Sequence, residues 1–159
     1  RFHIMERIEL QNKINSFGVE VTFAESEVPT QFLTAEVSSE NVHALISELK
    51  NNSDTSFDYM FCQTGIDFPE HIEVLYHLRN TQNNSEIVIK ARIEDRENPS
   101  IDSVFDLYKT ADFHEREIFD LFGVKFNNHP DLRRILLDDD WEGYPLRKDY
   151  VDEVNIVEL

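Results

Sequence analysis

Ile72-Glu73-Val74-Leu75-Tyr76-His77-Leu78 and Glu86-Ile87-Val88-Ile89-Lys90-Ala91-Arg92-Ile93 are two runs rich in β-branched and aromatic residues, joined by the polar Arg79-Asn80-Thr81-Gln82-Asn83-Asn84-Ser85. Side chains of that kind suit a pleated, half-buried backbone, and asparagines and serine suit the turn between two such runs. The stretch therefore predicts an antiparallel hairpin with a longer loop. A third strand is expected immediately upstream, over 57–63, so a sheet organises the middle of the chain.

Toward the N-terminus, Val42, Leu45, Ile46 and Leu49 fall at helical spacing and predict a helix over 39–50, with Ser39 as its cap candidate. Strands are expected over 19–23 and 31–37, with Ser26-Glu27-Val28-Pro29-Thr30 as the turn between them. Met5, Ile8, Leu10, Ile14 and Phe17 give a looser helical period over 5–17, closed by Gly18. Toward the C-terminus a short helix is expected over 101–108. A second helix opens at Asp112, which is placed to cap the amide of Glu115 while Glu115 reaches back, and it closes at Gly123. After Val124 the periodicity stops, and 127–159 is proline-interrupted, charged and aromatic. The expected fold is α+β. A single domain over 1–126 carries a mixed or mainly antiparallel sheet with helices packed on one face, and an extended C-terminal arm follows over 127–159.

Bulk composition narrows the chemistry. The 159 residues carry 15 Lys+Arg against 32 Asp+Glu, a formal charge of -17, which repels phosphate backbones and anionic headgroups and excludes nucleic acid as a partner class. Solubility and a basic protein partner are the remaining uses of such a charge. The single cysteine, Cys62, cannot form an intramolecular disulfide or hold an iron-sulfur cluster by itself, and reads as a buried small hydrophobe. Four glycines, Gly18, Gly65, Gly123 and Gly143, cannot write a phosphate-cradling loop or a dinucleotide fingerprint. No apolar run approaches the roughly 18 residues of a membrane span, and the first residues lack the apolar stretch of a signal peptide. The chain is expected to stay on the side of the membrane where it is made.

The charged motifs are read residue by residue. Consecutive helical residues point about 100° apart, so Glu115, Arg116 and Glu117 are not a catalytic carboxylate pair. Asp112–Arg116 and Arg116–Asp120 have i,i+4 spacing, and the plainest reading is a salt-laced helix whose Phe113, Ile118, Phe119, Leu121 and Phe122 cover an apolar arc. No His-Glu-x-x-His occurs, and His3, His43, His71, His77 and His114 read as structural. Asp138, Asp140, Glu142, Gly143 and Asp149 fit part of a calcium-loop frame. Pro145 inside the loop and the cations Arg147 and Lys148 beside it argue against an ion there.

One block carries a resemblance. Glu115, Arg116, Glu117, Asp120, Leu121, Phe122, His129, Arg133, Ile135 and Leu136 match at every term the signature of the C subunit, the 30 kDa type, of proton-pumping NADH-quinone oxidoreductase, respiratory complex I. The segment from Asp140 to Tyr150, Asp-Trp-Glu-Gly-Tyr-Pro-Leu-Arg-Lys-Asp-Tyr, resembles the same family, and Val151 departs from it where many relatives have proline. The resemblance implies an accessory subunit of the hydrophilic arm, packed against the quinone-site D subunit and the cluster-bearing B subunit. It would be peripheral on the cytoplasmic side of a bacterial membrane and attached only through its partners. FMN and the iron-sulfur clusters would sit on partner subunits, with no cofactor, metal or catalytic residue on this chain. It would support electron transfer from NADH to quinone, coupled to proton translocation. Glu115, Arg116, Glu117, Asp120, His129, Arg133, Arg134, Trp141, Tyr144, Arg147, Lys148 and Asp149 are then signature and interface residues. In that reading Arg116 joins a buried ion-pair network, Arg133, Arg134, Arg147 and Lys148 are basic contacts, and Trp141 and Tyr144 are anchors. The nearest alternative is the equivalent subunit of a membrane-bound hydrogenase or of a ferredoxin-plastoquinone reductase. A stand-alone acidic binding module or hydrolase is the alternative from a different class.

Overall fold

The mid-chain hairpin forms and is the centre of the sheet. The computed structural model describes residues 7–24 and 32–152. Its elements are α1 (Arg7–Asn15), β1 (Thr22–Phe23), β2 (Leu33–Ser38), α2 (Val42–Asn51), β3 (Tyr59–Asp67), β4 (Ile72–Arg79), β5 (Glu86–Ile93), β6 (Ser100–Asp102), α3 (Ala111–Phe122) and β7 (Lys125–Asn127). β4 and β5 pair antiparallel, with Tyr76 opposite Ile89 and Val74 opposite Ala91. Asn80 organises the loop between them. Its Oδ1 accepts the N–H groups of Gln82 and Asn83, and its Nδ2 donates to the carbonyl of Thr55.

The five-stranded sheet runs β1-β2-β5-β4-β3, and it is mixed because β2 pairs parallel with β5. Alternation fixes its buried face: Ile72, Val74, Tyr76 and Leu78 of β4 and Ile87, Ile89, Ala91 and Ile93 of β5 all enter one core. Leu33, Ala35 and Val37 of β2 extend that face, and α2 (Val42, Leu45, Ile46, Leu49) and α3 (Ile118, Phe122) cover it. Burying the four apolar side chains of α2 contributes on the order of 6–12 kcal/mol before entropy is charged against it. Gly65 on β3 admits α3. A Cβ there would stand 2.9 Å from the Phe122 ring.

The structure corrects several sequence expectations. The 101–108 segment is not a helix. Ile101 is buried in β6, which pairs parallel with β7, and a tight turn follows in which the amides of Leu107 and Tyr108 donate to the carbonyl of Val104. Ser39 does not cap α2, whose N-cap position is Asn41 with no side-chain bond. The expected strand over 19–23 is reduced to Thr22–Phe23, while β3 runs on to Asp67. In α1, Leu10 and Ile14 are buried but Ile8 is exposed. Cys62 is only half-buried, beside a register shift between Met60 and Cys62. The turn expected over 26–30, the start of the first helix with His3 and Met5, and the end of the arm lie outside the described residues.

Candidate functional site

Helix α3 is the seat of the signature residues, and it reads the arm through the arm's backbone. Arg116 and Asp120 are one turn apart and so project from the same side of the helix. Arg116 donates from Nε to the carbonyl of Arg133 and from Nη2 to that of Arg134, each at 3.2 Å. Asp120, fully buried, accepts the next three amides on one oxygen: Ile135, Leu136 and Leu137 at 2.9, 2.7 and 3.0 Å. Arg134 completes the arrangement, donating Nη1 to Asp120 Oδ1 at 2.7 Å and Nη2 to the carbonyls of Trp141 and Gly143. Burial alone would push the Asp120 carboxyl up, but the Arg134 guanidinium and the three amides outweigh it and hold it below its ordinary value.

The end of α3 supplies a second hold. Its last carbonyls lack partners within the helix, and the arm satisfies three of them: Arg134 Nη1 donates to Asp120 at 2.9 Å, Leu146 N–H to Leu121, and Arg147 Nε to Phe122 at 2.6 Å. Gly123 terminates the helix at φ +75°, and the Tyr144 ring packs directly over it. The guanidiniums of Arg134 and Arg147 lie 5.4 and 4.9 Å from the centre of that ring. A third hold joins the far end of the arm to the sheet. Arg96 bridges buried Asp67 and Asp149, at 2.8 and 2.7 Å, and Lys148 N–H also donates to Asp67. Its bond from Arg96 keeps the Asp149 carboxyl below its ordinary value.

Glu115 faces the interior. Ser103 Oγ and the Val104 amide donate to its two oxygens at 2.6 and 2.8 Å. Burial pushes its carboxyl up to about 7, against the opposing pull of those two bonds. This is why the expected capping box does not form: Glu115 caps the 103–104 turn, not its own helix, and Thr110 occupies the N-cap position without a side-chain bond. The expected i,i+4 ion pairs are absent too. Arg116 is buried as anticipated, but its hydrogen-bond partners are carbonyl oxygens, and Asp120 pairs with Arg134.

Eight of the twelve sequence-predicted residues thus meet around α3 and the arm's holds: Glu115, Arg116, Asp120, His129, Arg134, Tyr144, Arg147 and Asp149. His129 lies against Asp112 and Glu115. The other four face outward. Glu117 is exposed, Arg133 pairs, among the described residues, with Asp131 beside it and is 65% exposed, and Trp141 and Lys148 are exposed along the arm. Sequence reasoning missed Asp67, Arg96 and Ser103. An acid at a strand end and an arginine 29 positions away carry no periodic signal that pairs them. Phe113, Leu136, Trp141, Leu146 and Val151 remain as exposed large apolar side chains of α3 and the arm. Among the described residues no group of His, Cys, Asp or Glu could hold a metal ion, and no helix is long and apolar enough to cross a membrane.

Comparison with known proteins matches this architecture to one family. Residues 35–154 fit the family model described as respiratory-chain NADH dehydrogenase, 30 Kd subunit. The C subunit of NADH-quinone oxidoreductase from Moorella thermoacetica is 43% identical over 116 residues, 72% of this chain and 76% of that protein. The combined C/D subunit of the Phocaeicola vulgatus NADH-quinone oxidoreductase is 41% identical over 121 residues, 76% of this chain but 23% of that protein. The chain likewise spans 58% of the C subunit from Chloroherpeton thalassium. Among solved structures, a chain of the membrane-bound sulfane sulfur reductase, an archaeal respiratory membrane complex, superposes with a TM-score of 0.76 at 26% identity, covering 92% of this chain and 86% of that one. The helix and arm described above lie within the matched residues, and the chain belongs to the family of the 30 kDa subunit of respiratory-chain NADH dehydrogenase, the C subunit of complex I.

Proposed function

We propose that this chain is an accessory subunit of the hydrophilic arm of NADH-quinone oxidoreductase, and that residues 129–152 are the surface it offers to its neighbours. One observation carries this reading. The arm spends its backbone and its buried charges on α3 and the sheet, and turns Leu136, Trp141, Leu146 and the acids Asp138, Asp139, Asp140 and Glu142 outward. A segment that has no core of its own but is pinned this firmly presents a fixed pattern of apolar anchors among charges, the composition from which interface hot spots are built. Relatives named as combined C/D subunits support the D subunit as one partner, since in them a single chain carries both parts. The B subunit follows from the family resemblance. Attachment to the membrane would then be through partners, on the cytoplasmic side, with FMN and clusters held by other subunits and electrons passing from NADH to quinone without a redox centre or active site here.

The test is Trp141→Ala combined with Leu146→Ala. The isolated variant should unfold at the wild-type temperature, while membranes carrying it lose assembled complex and NADH-dependent quinone reduction in the same proportion. A variant that assembles fully yet fails to turn over would assign the arm to catalysis instead. The likeness to the sulfane sulfur reductase chain keeps the second reading, the equivalent subunit of a related respiratory complex. The electron donor accepted by the purified assembly, NADH or ferredoxin, separates the two.

A further inference from the structure

Glu115 sits at the centre of a buried polar seam that the protein's own groups leave unfinished. Among the described residues, eight buried side-chain polar atoms lack a hydrogen-bond partner within the protein, and five of them lie around this one carboxyl. On the sheet side are Gln63 Nε2, Gln63 Oε1 and Tyr76 Oη. Gln63 on β3 and Tyr76 on β4 stand opposite one another in the register, and both are buried. Burial raises the Tyr76 hydroxyl and the Glu115 carboxyl above their ordinary values, and the nearby Gln63 amide pulls each back. The three groups are thus neighbours, yet neither Gln63 nor Tyr76 makes a direct bond of good geometry. On the arm side are His129 Nε2 and Asp112 Oδ1. His129 Nδ1 accepts the Asp131 N–H at 3.1 Å, so the ring's N–H is at Nε2. That N–H faces Asp112 Oδ1 at 3.5 Å and Glu115 Oε2 at 3.9 Å, neither placed for a good bond.

A buried donor or acceptor in a native protein is nearly always bonded, to protein or to ordered water. Orphans scattered through the molecule would say little. Five that converge on a carboxyl already accepting Ser103 Oγ and the Val104 amide describe a place for a small polar ligand. The chemistry of the seam selects that ligand. Gln63 Nε2, Tyr76 Oη and His129 Nε2 offer hydrogens, while Gln63 Oε1, Asp112 Oδ1 and Glu115 offer lone pairs. A cation would leave the donors unmet, and an anion would face two carboxyl groups. Water alone both accepts and donates. We propose that this seam is an internal hydration site holding two ordered waters, one between β3, β4 and α3 and the other between α3 and the start of the arm. The first accepts a hydrogen from Tyr76 or Gln63 and donates to the Glu115 carboxyl. The second accepts the His129 Nε2 hydrogen and donates to Asp112 Oδ1 and Glu115 Oε2, making the three bonds usual for a buried water. Sheet, helix and arm are then joined through solvent at the place where their polar groups do not touch, in addition to the direct holds at Asp120 and Asp67.

Oxygen-17 relaxation dispersion of the full chain, with a high-resolution crystal structure to place the waters, tests this. Long-lived waters are expected at both positions. Gln63→Met combined with Tyr76→Phe should lose the first and keep the second. Tyr76→Phe alone adds a test of sign. Removing a hydroxyl that bonds to water leaves the water a partner short and should lower the urea midpoint, whereas removing a bare buried hydroxyl should raise it. A Gln63 amide bonded straight to Tyr76 and Glu115 with no water between, a His129 Nε2–H bonded straight to Asp112, an unchanged number of long-lived waters in the double variant, or a raised midpoint in Tyr76→Phe would each overturn the proposal.

Discussion

Arg116 and Asp120 divide the work of holding the arm: one takes two carbonyls, the other the three amides that follow. Such recognition is indifferent to the side chains at 135–137, which leaves those positions free to meet a partner. It also concentrates risk in one carboxylate. Asp120→Ala strands three amides and takes its carboxylate partner from the Arg134 guanidinium, and should cost about 3–5 kcal/mol, read from the shift in urea midpoint. Exchange of the Ile135, Leu136 and Leu137 amides should rise by more than that of the β4–β5 hairpin. The two buried carboxyls of α3 also tilt the pH dependence of stability in opposite directions. Asp120 is held below its unfolded value of 3.8, so its contribution is full above that value and is lost as pH falls through the folded one. Glu115 rises from 4.5 to about 7, so the folded state binds the extra proton and stability declines as pH climbs between those values, by about 3 kcal/mol in all. Glu115→Gln should flatten the decline between about pH 5 and 7 in denaturant titrations while leaving the acid limb in place. A decline of undiminished size in that variant would mean Glu115 is not its source.

At the scale of elements, legibility followed locality. The β4–β5 hairpin was readable because its period, loop and partner lie in one stretch, and Gly123 marked the end of α3 because an αL residue there calls for glycine. The misreading of 101–108 has a physical origin. Ile101, Val104, Phe105 and Tyr108 fall at helical spacing, yet β7, still more than fifteen residues ahead, offers Ile101 a strand partner, and Glu115 captures the Val104 amide. Asp112 and Glu115 likewise have capping-box spacing, but Ser103 competes for Glu115 from outside the helix. The parallel pairing of β2 with β5 left no local trace. Of the site, the signature positions were visible and their partners were not, since backbone carbonyls and amides carry no sequence label. Gly123→Ala tests the junction of helix and arm. The new Cβ would be strained at φ +75° and would stand 2.5 Å from the Tyr144 ring. We expect a loss of about 2–4 kcal/mol in chemical denaturation, with Tyr144→Ala in the same background recovering part of it.

For the molecule as a whole, a charge of -17 acts on stability and on association with opposite signs. Salt screens the self-repulsion of the folded chain, so raising ionic strength from about 10 to 150 mM should increase the unfolding temperature of the isolated protein. Over the same range capture by the proposed partner subunits should slow where the surface they offer is basic, because long-range attraction to an acidic chain is screened as well. Stopped-flow association beside thermal melts in the same buffers checks both signs; a rate indifferent to salt would remove charge from the account of assembly. The order β1-β2-β5-β4-β3 reaches further, to the ribosome. Leu33, Ala35 and Val37 must wait for Ile87, Ile89 and Ala91 before their strand gains its second neighbour. At about 5–20 residues per second this leaves an apolar strand bordered only by two-residue β1 for several seconds of translation. In that interval the nascent chain is most open to chaperone capture or to pairing with another copy of itself, and completion of β5 is the event that ends it.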